Sequence, residues 1–201
     1  MHWRVEMRPN SLGHLIAALK IMPIAVLLLH GFVLKVAASD VLDAQRSVFL
    51  EAEAALKSGK QPRYQKLYQQ LADYPLQPYL DFKHAAGRLK SLTPAQVQAL
   101  LVRLEATPMA ARLRNRWLVQ LAGNREWRKF LAFHTPVRDV EVRCHYAQAL
   151  LRTGKQKSAA AQAQALWRHG SSRPRACDAV FKTLLSTGAL TNEDIWIRFN
   201  L

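Results

Sequence analysis

CHYAQALLRTG at 144–154 and CDAVFKTLLSTG at 177–188 align with each other, their cysteines 33 residues apart and their glycines 34. A period of this length is the one used by helix-turn-helix solenoids, where each helix pair stacks on the next and buries a continuous core. The two strings close helices expected over 139–152 and 174–186. Between them a further helix is expected over 156–169.

Upstream the pattern is the same: short amphipathic stretches separated by Gly or Pro. Leu42, Phe49, Ala52 and Leu56 fall on one helical face that stops at Ser58-Gly59-Lys60. A second helix is expected over 63–74 and is broken by Pro75 and Pro78, each of which removes a backbone donor and biases its predecessor away from the helical region. A third is expected over 79–89. Thr93-Pro94-Ala95-Gln96 then supplies a capping Thr, Pro at the first helical position and Gln at the third. Val97, Leu100, Leu101 and Leu104 form the stripe of that fourth helix, which ends at Thr107-Pro108. Helices over 109–122 and 126–133 follow, and a last one is opened by Thr191 with Glu193 and Asp194 in its first turn. No alternating Val/Ile/Thr run is long enough for a strand, so the chain is expected to be all-α, with about ten helices.

The 201 residues carry 29 Lys+Arg against 14 Asp+Glu, a net charge of +15, with 50% apolar and 21% charged residues. That is a globular composition. Eight Gly, nine Pro and two Cys exclude a collagen-like chain, a low-complexity chain, a disulfide-rich miniprotein and a zinc module built of CxxC pairs.

The stretch IMPIAVLLLHGFVL at 21–34 follows Arg4, Arg8 and Lys20, opposed only by Glu6, and is interrupted by Pro23, His30 and Gly31. Its apolar core is shorter than the roughly 20 residues a membrane span needs. Val36-Ala37-Ala38 places small residues at the exit. The reading is a signal peptide over 1–38, cleaved after Ala38, and an exported domain over 39–201; the rival is an uncleaved N-terminal anchor. Export favours a disulfide between Cys144 and Cys177, which would close a loop of about 34 residues and stabilise by roughly 3.5–4 kcal/mol. A metal site is disfavoured, since adjacent Cys144 and His145 diverge by about 100° on a helix.

No GxSxG, HExxH or phosphate-binding glycine loop is present, and no catalytic residue, metal ligand set or cofactor is expected. The acids, Asp81 near Lys83 and Glu126 near Arg128 among them, read as solvated surface charge. Arg112, Arg114, Arg116, Arg125, Arg128 and Lys129 gather six positive charges with only Glu126 opposing. This candidate polyanion-facing patch suits a cell-wall glycan with its carboxylate-bearing peptides, or anionic lipid head groups; export disfavours nucleic acid. Solvated helix faces are the plainer alternative. Trp117, Trp127 and Trp167 could stack on sugars, but their apolar helical faces favour core packing.

LADYPLQPYLDFK (71–83), REWRKFLAF (125–133), CHYAQALLRTGK (144–155) and LWRHGSSRPRACDAVFKTLLSTG (166–188) together resemble the N-terminal region of the soluble lytic murein transglycosylases. The resemblance implies a periplasmic protein whose helices form a right-handed α-superhelix, the U domain. In that family a separate lysozyme-like domain cleaves the bond between N-acetylmuramic acid and N-acetylglucosamine to a 1,6-anhydro product, using one Glu and no cofactor. The family's Glu-Ser, GLMQ-type and AYNAG-type strings do not occur here. The expectation is therefore a non-catalytic superhelical part that binds or docks on peptidoglycan, touching a membrane only through an uncleaved leader. The alternative is a periplasmic helical-repeat interaction module that docks a separate catalytic domain or another cell-wall enzyme.

Overall fold

The computed structural model describes the backbone over 22–201 and side chains over 40–201. Most of the leader expected over 1–38 lies outside the described residues. Among the described residues there are ten α-helices and no strand. They are α1 (Met22–Lys57), α2 (Gln61–Gln69), α3 (Gln77–Gly87), α4 (Pro94–Arg103), α5 (Pro108–Gly123), α6 (Trp127–Phe133), α7 (Val140–Arg152), α8 (Gln156–Trp167), α9 (Asp178–Ser186) and α10 (Asn192–Phe199). Short 3₁₀ turns at Leu89–Ser91 and Arg175–Cys177 follow α3 and precede α9. No helix among the described residues is long and apolar enough to cross a membrane.

The chain divides into two compact units, Met1–Gln77 and Pro78–Leu201. In the first, α1 and α2 pack across a turn at Gly59, whose φ of +70° suits a residue without Cβ. Phe49 meets Tyr74 at 5.5 Å between ring centroids, over buried Ala52, Ala55, Tyr64 and Leu71. Leu42, expected on the buried face, is 49% exposed, so the face that packs runs through Phe49, Ala52 and Ala55 instead. The second helix ends at Gln69, sooner than the 74 expected, because Gln70 already closes it and Leu71 turns into the core.

The second unit stacks successive helices. α3 begins at Gln77, two residues earlier than expected, since Pro78 falls in the first turn, where a missing N–H is no loss. The Thr93–Gln96 capping box is formed as expected, both reciprocal bonds being present. Thr107 caps α5 and Asp139 caps α7 through their side chains. Val97, Leu101, Leu104, Leu113, Leu118, Leu121, Phe130 and Val142 fill one core; Ala147, Ala163, Leu166, Val180 and Leu184 fill a second around Cys144 and Cys177.

Cys144 and Cys177 are disulfide-bonded, with Cα atoms 4.8 Å apart. Two helices in ordinary contact hold their axes about 8–10 Å apart, and since Cα atoms stand about 2.3 Å off each axis, only positions that face each other come close enough to bridge. The sequence repeat places both cysteines on equivalent helices, but Cys177 sits in the 3₁₀ turn before α9, while Cys144 is inside α7. Ala147 and Ala163 are buried in the same core as the bridge.

Candidate functional site

α5 runs to Gly123, and Asn124 closes it. Arg125 then adopts φ +59°, the one non-glycine residue with positive φ among those described. Its N–H donates to the Ala122 carbonyl at 3.0 Å, and the Glu126 N–H donates to that of Leu121 at 2.9 Å. This is the left-handed stop that ends many helices, and glycine fills it at 59, 154 and 188. An Arg held there costs about 1 kcal/mol of backbone strain, which makes the position conspicuous.

α6 starts directly after this turn, so Trp127, Arg128 and Lys129 emerge beside Arg125. Together with Glu126, and with Arg152 and Thr153 from the end of α7, they line a hollow of about 510 Å³. Four cations face one carboxylate there. Glu126 accepts a bond from Lys129 within its own turn and another from Asn124 Nδ2 at 3.4 Å. The Lys129 hydrogen bond is the main reason its carboxyl titrates below the usual range. Arg125, Arg128 and Arg152 have no carboxylate partner among the described residues. Trp127 is half-buried, packed on the first core while lining the hollow. The site offers a ring face beside cations that suit carboxylate or phosphate groups.

The six basic residues picked out by sequence are thus divided. Arg125, Arg128 and Lys129 share the hollow, joined by Arg152, which the linear count missed because it lies on another helix. Arg112, Arg114 and Arg116 are dispersed around α5 and do not line it; the Arg116 guanidinium sits 5.2 Å from the centroid of the Phe82 ring. Trp117 is a core residue, 4% exposed and edge-on to Phe133 at 5.9 Å. Trp167 is half-buried and edge-on to Phe181 at 5.0 Å.

A glycosidase-type acid would need a carboxyl with a raised pKa. The two buried carboxylates among the described residues are Asp81 and Asp194. Asp81 pairs with Arg103 at 3.2 Å and Asp194 with Arg168 at 3.1 Å. The Thr191 backbone N–H, then Arg168, hold the Asp194 carboxyl below its ordinary value, the wrong direction for an acid catalyst. No cluster of three or more His, Cys, Asp or Glu side chains that could hold a metal occurs among the described residues.

Repeat, helix pairing and hollow define an all-α helical-repeat protein of the superhelical class. No family model matches the chain. It is 34% identical over 156 residues to the soluble lytic murein transglycosylase of Escherichia coli, a match covering 76% of this chain and 24% of that protein. For the Salmonella typhimurium enzyme of the same name the figures are 32% over 155 residues, 76% and 24%. Among solved structures, the 70 kDa soluble lytic transglycosylase of E. coli matches with a TM-score of 0.73 and 30% identity, over 78% of this chain and 26% of that one. An inactive mutant of the lytic transglycosylase Slt from Pseudomonas aeruginosa matches with a TM-score of 0.70 and 34% identity, over 75% and 25%. The chain is similar in sequence to the soluble lytic murein transglycosylases, and its all-helical fold is similar to the superhelical domain of the 70 kDa E. coli enzyme. It spans about a quarter of the length of these relatives, 24% of the curated ones.

Proposed function

We propose that this chain is the superhelical part of a periplasmic peptidoglycan-processing protein, and that it docks on the cell wall through the cationic hollow at Trp127. The single observation that carries this reading is the match at 34% identity over 76% of the chain to a soluble lytic murein transglycosylase. The hollow supports it, because peptidoglycan presents sugar faces beside peptide carboxylates, and a ring flanked by arginines is complementary to both. Arg112, Arg114 and Arg116 add a diffuse positive field that raises the rate of encounter. Export by a leader over 1–38, cleaved after Ala38, belongs to the same reading, and N-terminal sequencing of the secreted chain tests it.

The docking test is retention on isolated sacculi against a charge-matched control protein. Retention above the control, lost on combining Arg125→Gln, Arg128→Gln and Arg152→Gln, is the expected result; retention equal to the control sinks the docking role. In this reading the chain alone releases no 1,6-anhydro muropeptides from sacculi, and mass spectrometry of the digest checks that.

A second reading, docking of a separate catalytic domain or another cell-wall enzyme, is favoured by one observation. Trp196 and Phe199 on α10 are 64% and 78% exposed, beside Leu201 at 66%. Single exposed apolar residues are ordinary, but three together on one short stretch are a contact surface. Sedimentation with an added lysozyme-like domain tests it: co-migration that Trp196→Ser abolishes supports this role, and separate migration removes it.

A further inference from the structure

A second hollow, of about 600 Å³, lies where the end of α8, the 171–175 loop, α9 and α10 meet, and neither the sequence patch nor the docking site uses it. Arg198 lays its guanidinium 4.4 Å from the Trp167 ring centroid and 5.8 Å from that of Phe181. Stacking fixes the plane of the guanidinium and leaves its N–H edge open to a ligand. Arg173, half-buried, donates Nε–H to the Leu166 carbonyl at 2.9 Å, which fixes it while its Nη groups have no partner among the described residues. Burial, then the nearby charges of Arg143 and Arg198, push the Arg173 pKa down. No ion pair ties Arg143, Arg173 or Arg198 to an acid among the described residues; Asp194 is engaged by Arg168, and Asp178 is the one carboxylate in the lining. Arg198 over two aromatic rings, with Arg173 fixed close by and neither ion-paired among the described residues, forms a site that an anion with an apolar body would relieve.

We propose that this hollow is a carboxylate subsite, which takes the acidic group of a wall glycopeptide between Arg173 and Arg198 and its apolar part against Trp167 and Phe181. The ligand class rests on the wall reading above. The test is calorimetric titration of the full chain with a soluble N-acetylmuramyl peptide, with its carboxyl-amidated form, and with inorganic phosphate. The acidic peptide is expected to bind, with amidation weakening it roughly tenfold or more, as removal of a charge-assisted pair does. Arg173→Gln and Arg198→Gln should each weaken it about as much, Arg198→Lys less, and Lys90→Gln, exposed and outside both hollows, hardly at all. Circular dichroism establishes that each variant is folded, and Lys182→Gln, at the rim, gives a milder loss if Arg198→Gln does not fold. Equal affinity for acidic and amidated peptides, or indifference to both Arg173→Gln and Arg198→Lys, overturns the subsite. Phosphate competing as well as the peptide overturns the carboxylate assignment. Sacculus retention without soluble-peptide binding sinks the subsite and leaves wall docking standing; peptide binding lost in Arg198→Gln without sacculus retention sinks wall docking instead.

Discussion

The core around α4, α5 and α6 is filled by Leu104, Leu113, Leu118 and Phe130, all with 0% exposure, whereas the core around α7, α8 and α9 sets Leu166, Val180 and Leu184 around two alanines, Ala147 and Ala163, and a disulfide. Large interlocking side chains keep helices at ordinary separations and stabilise by the apolar volume they remove from water. Alanines remove little, and beside them the disulfide adds a covalent tie that constrains the unfolded chain. The first region is therefore sensitive to volume alone and the second to both volume and redox state, although both belong to one unit.

That difference can be broken most directly by cavities. Phe130→Ala should cost about 3–5 kcal/mol in urea denaturation, and the loss should be the same with and without reductant. A loss under about 1 kcal/mol would mean that this core is looser than its burial implies. Next comes the bridge: Cys144→Ala with Cys177→Ala should cost roughly 3.5 kcal/mol. Reductant should bring the wild type down to the same melting curve and leave the double variant unmoved.

The helix stops sharpen the contrast with smaller effects. Arg125 and Gly154 share the left-handed conformation, at φ +59° and +81°. Arg125→Gly should gain up to about 1 kcal/mol, while Gly154→Ala should lose about as much, although nothing lies within 4 Å of the added methyl. If Arg125→Gly both stabilises and weakens sacculus retention, strain and function coincide at that turn.

The smallest effects lie in pH. His134 stacks between Phe130 and Tyr146, its ring 3.8 Å from that of Tyr146, and burial pushes its pKa below the ordinary 6.5. His84 is lowered too, by burial and then by Arg88. The unfolded chain takes up these protons first, so the stability they contribute is present above 6.5 and is lost as pH falls from there towards their folded values. Asp194, in the other region, is depressed below 3.8, so its contribution persists until pH drops past that point. Urea midpoints at about pH 7.5 and 5.5 should fall on acidification in the wild type and fall less in His134→Gln.

Much of the architecture is legible locally. The Thr93–Gln96 box, the glycine stops and the helical stripes depend on neighbours within a turn or two, and the helices form where those signals stand. The site is legible only in part, because a hollow is made by residues distant in sequence. Arg125, Arg128 and Lys129 lie close together in sequence and are visible as a cluster, while Arg152 joins them only through the packing of α6 on α7. Arg198 over Trp167 leaves no sequence signal, since 31 positions separate them. Asp194 shows the mixture: its place in the first turn of α10 is readable, but its pairing with Arg168 and near-complete burial are not.

The Cys144–Cys177 bond also encloses the whole of α8 and the 168–176 segment within one covalent ring. Ser171, Ser172 and Arg175 in that segment are exposed and open to a trypsin-like or serine-tolerant protease. A cut there cannot separate the pieces: the nicked chain should run as one band without reductant and as two with it. In a compartment rich in proteases the ring would act as a fail-safe, keeping a damaged molecule assembled around its guanidinium-lined hollow.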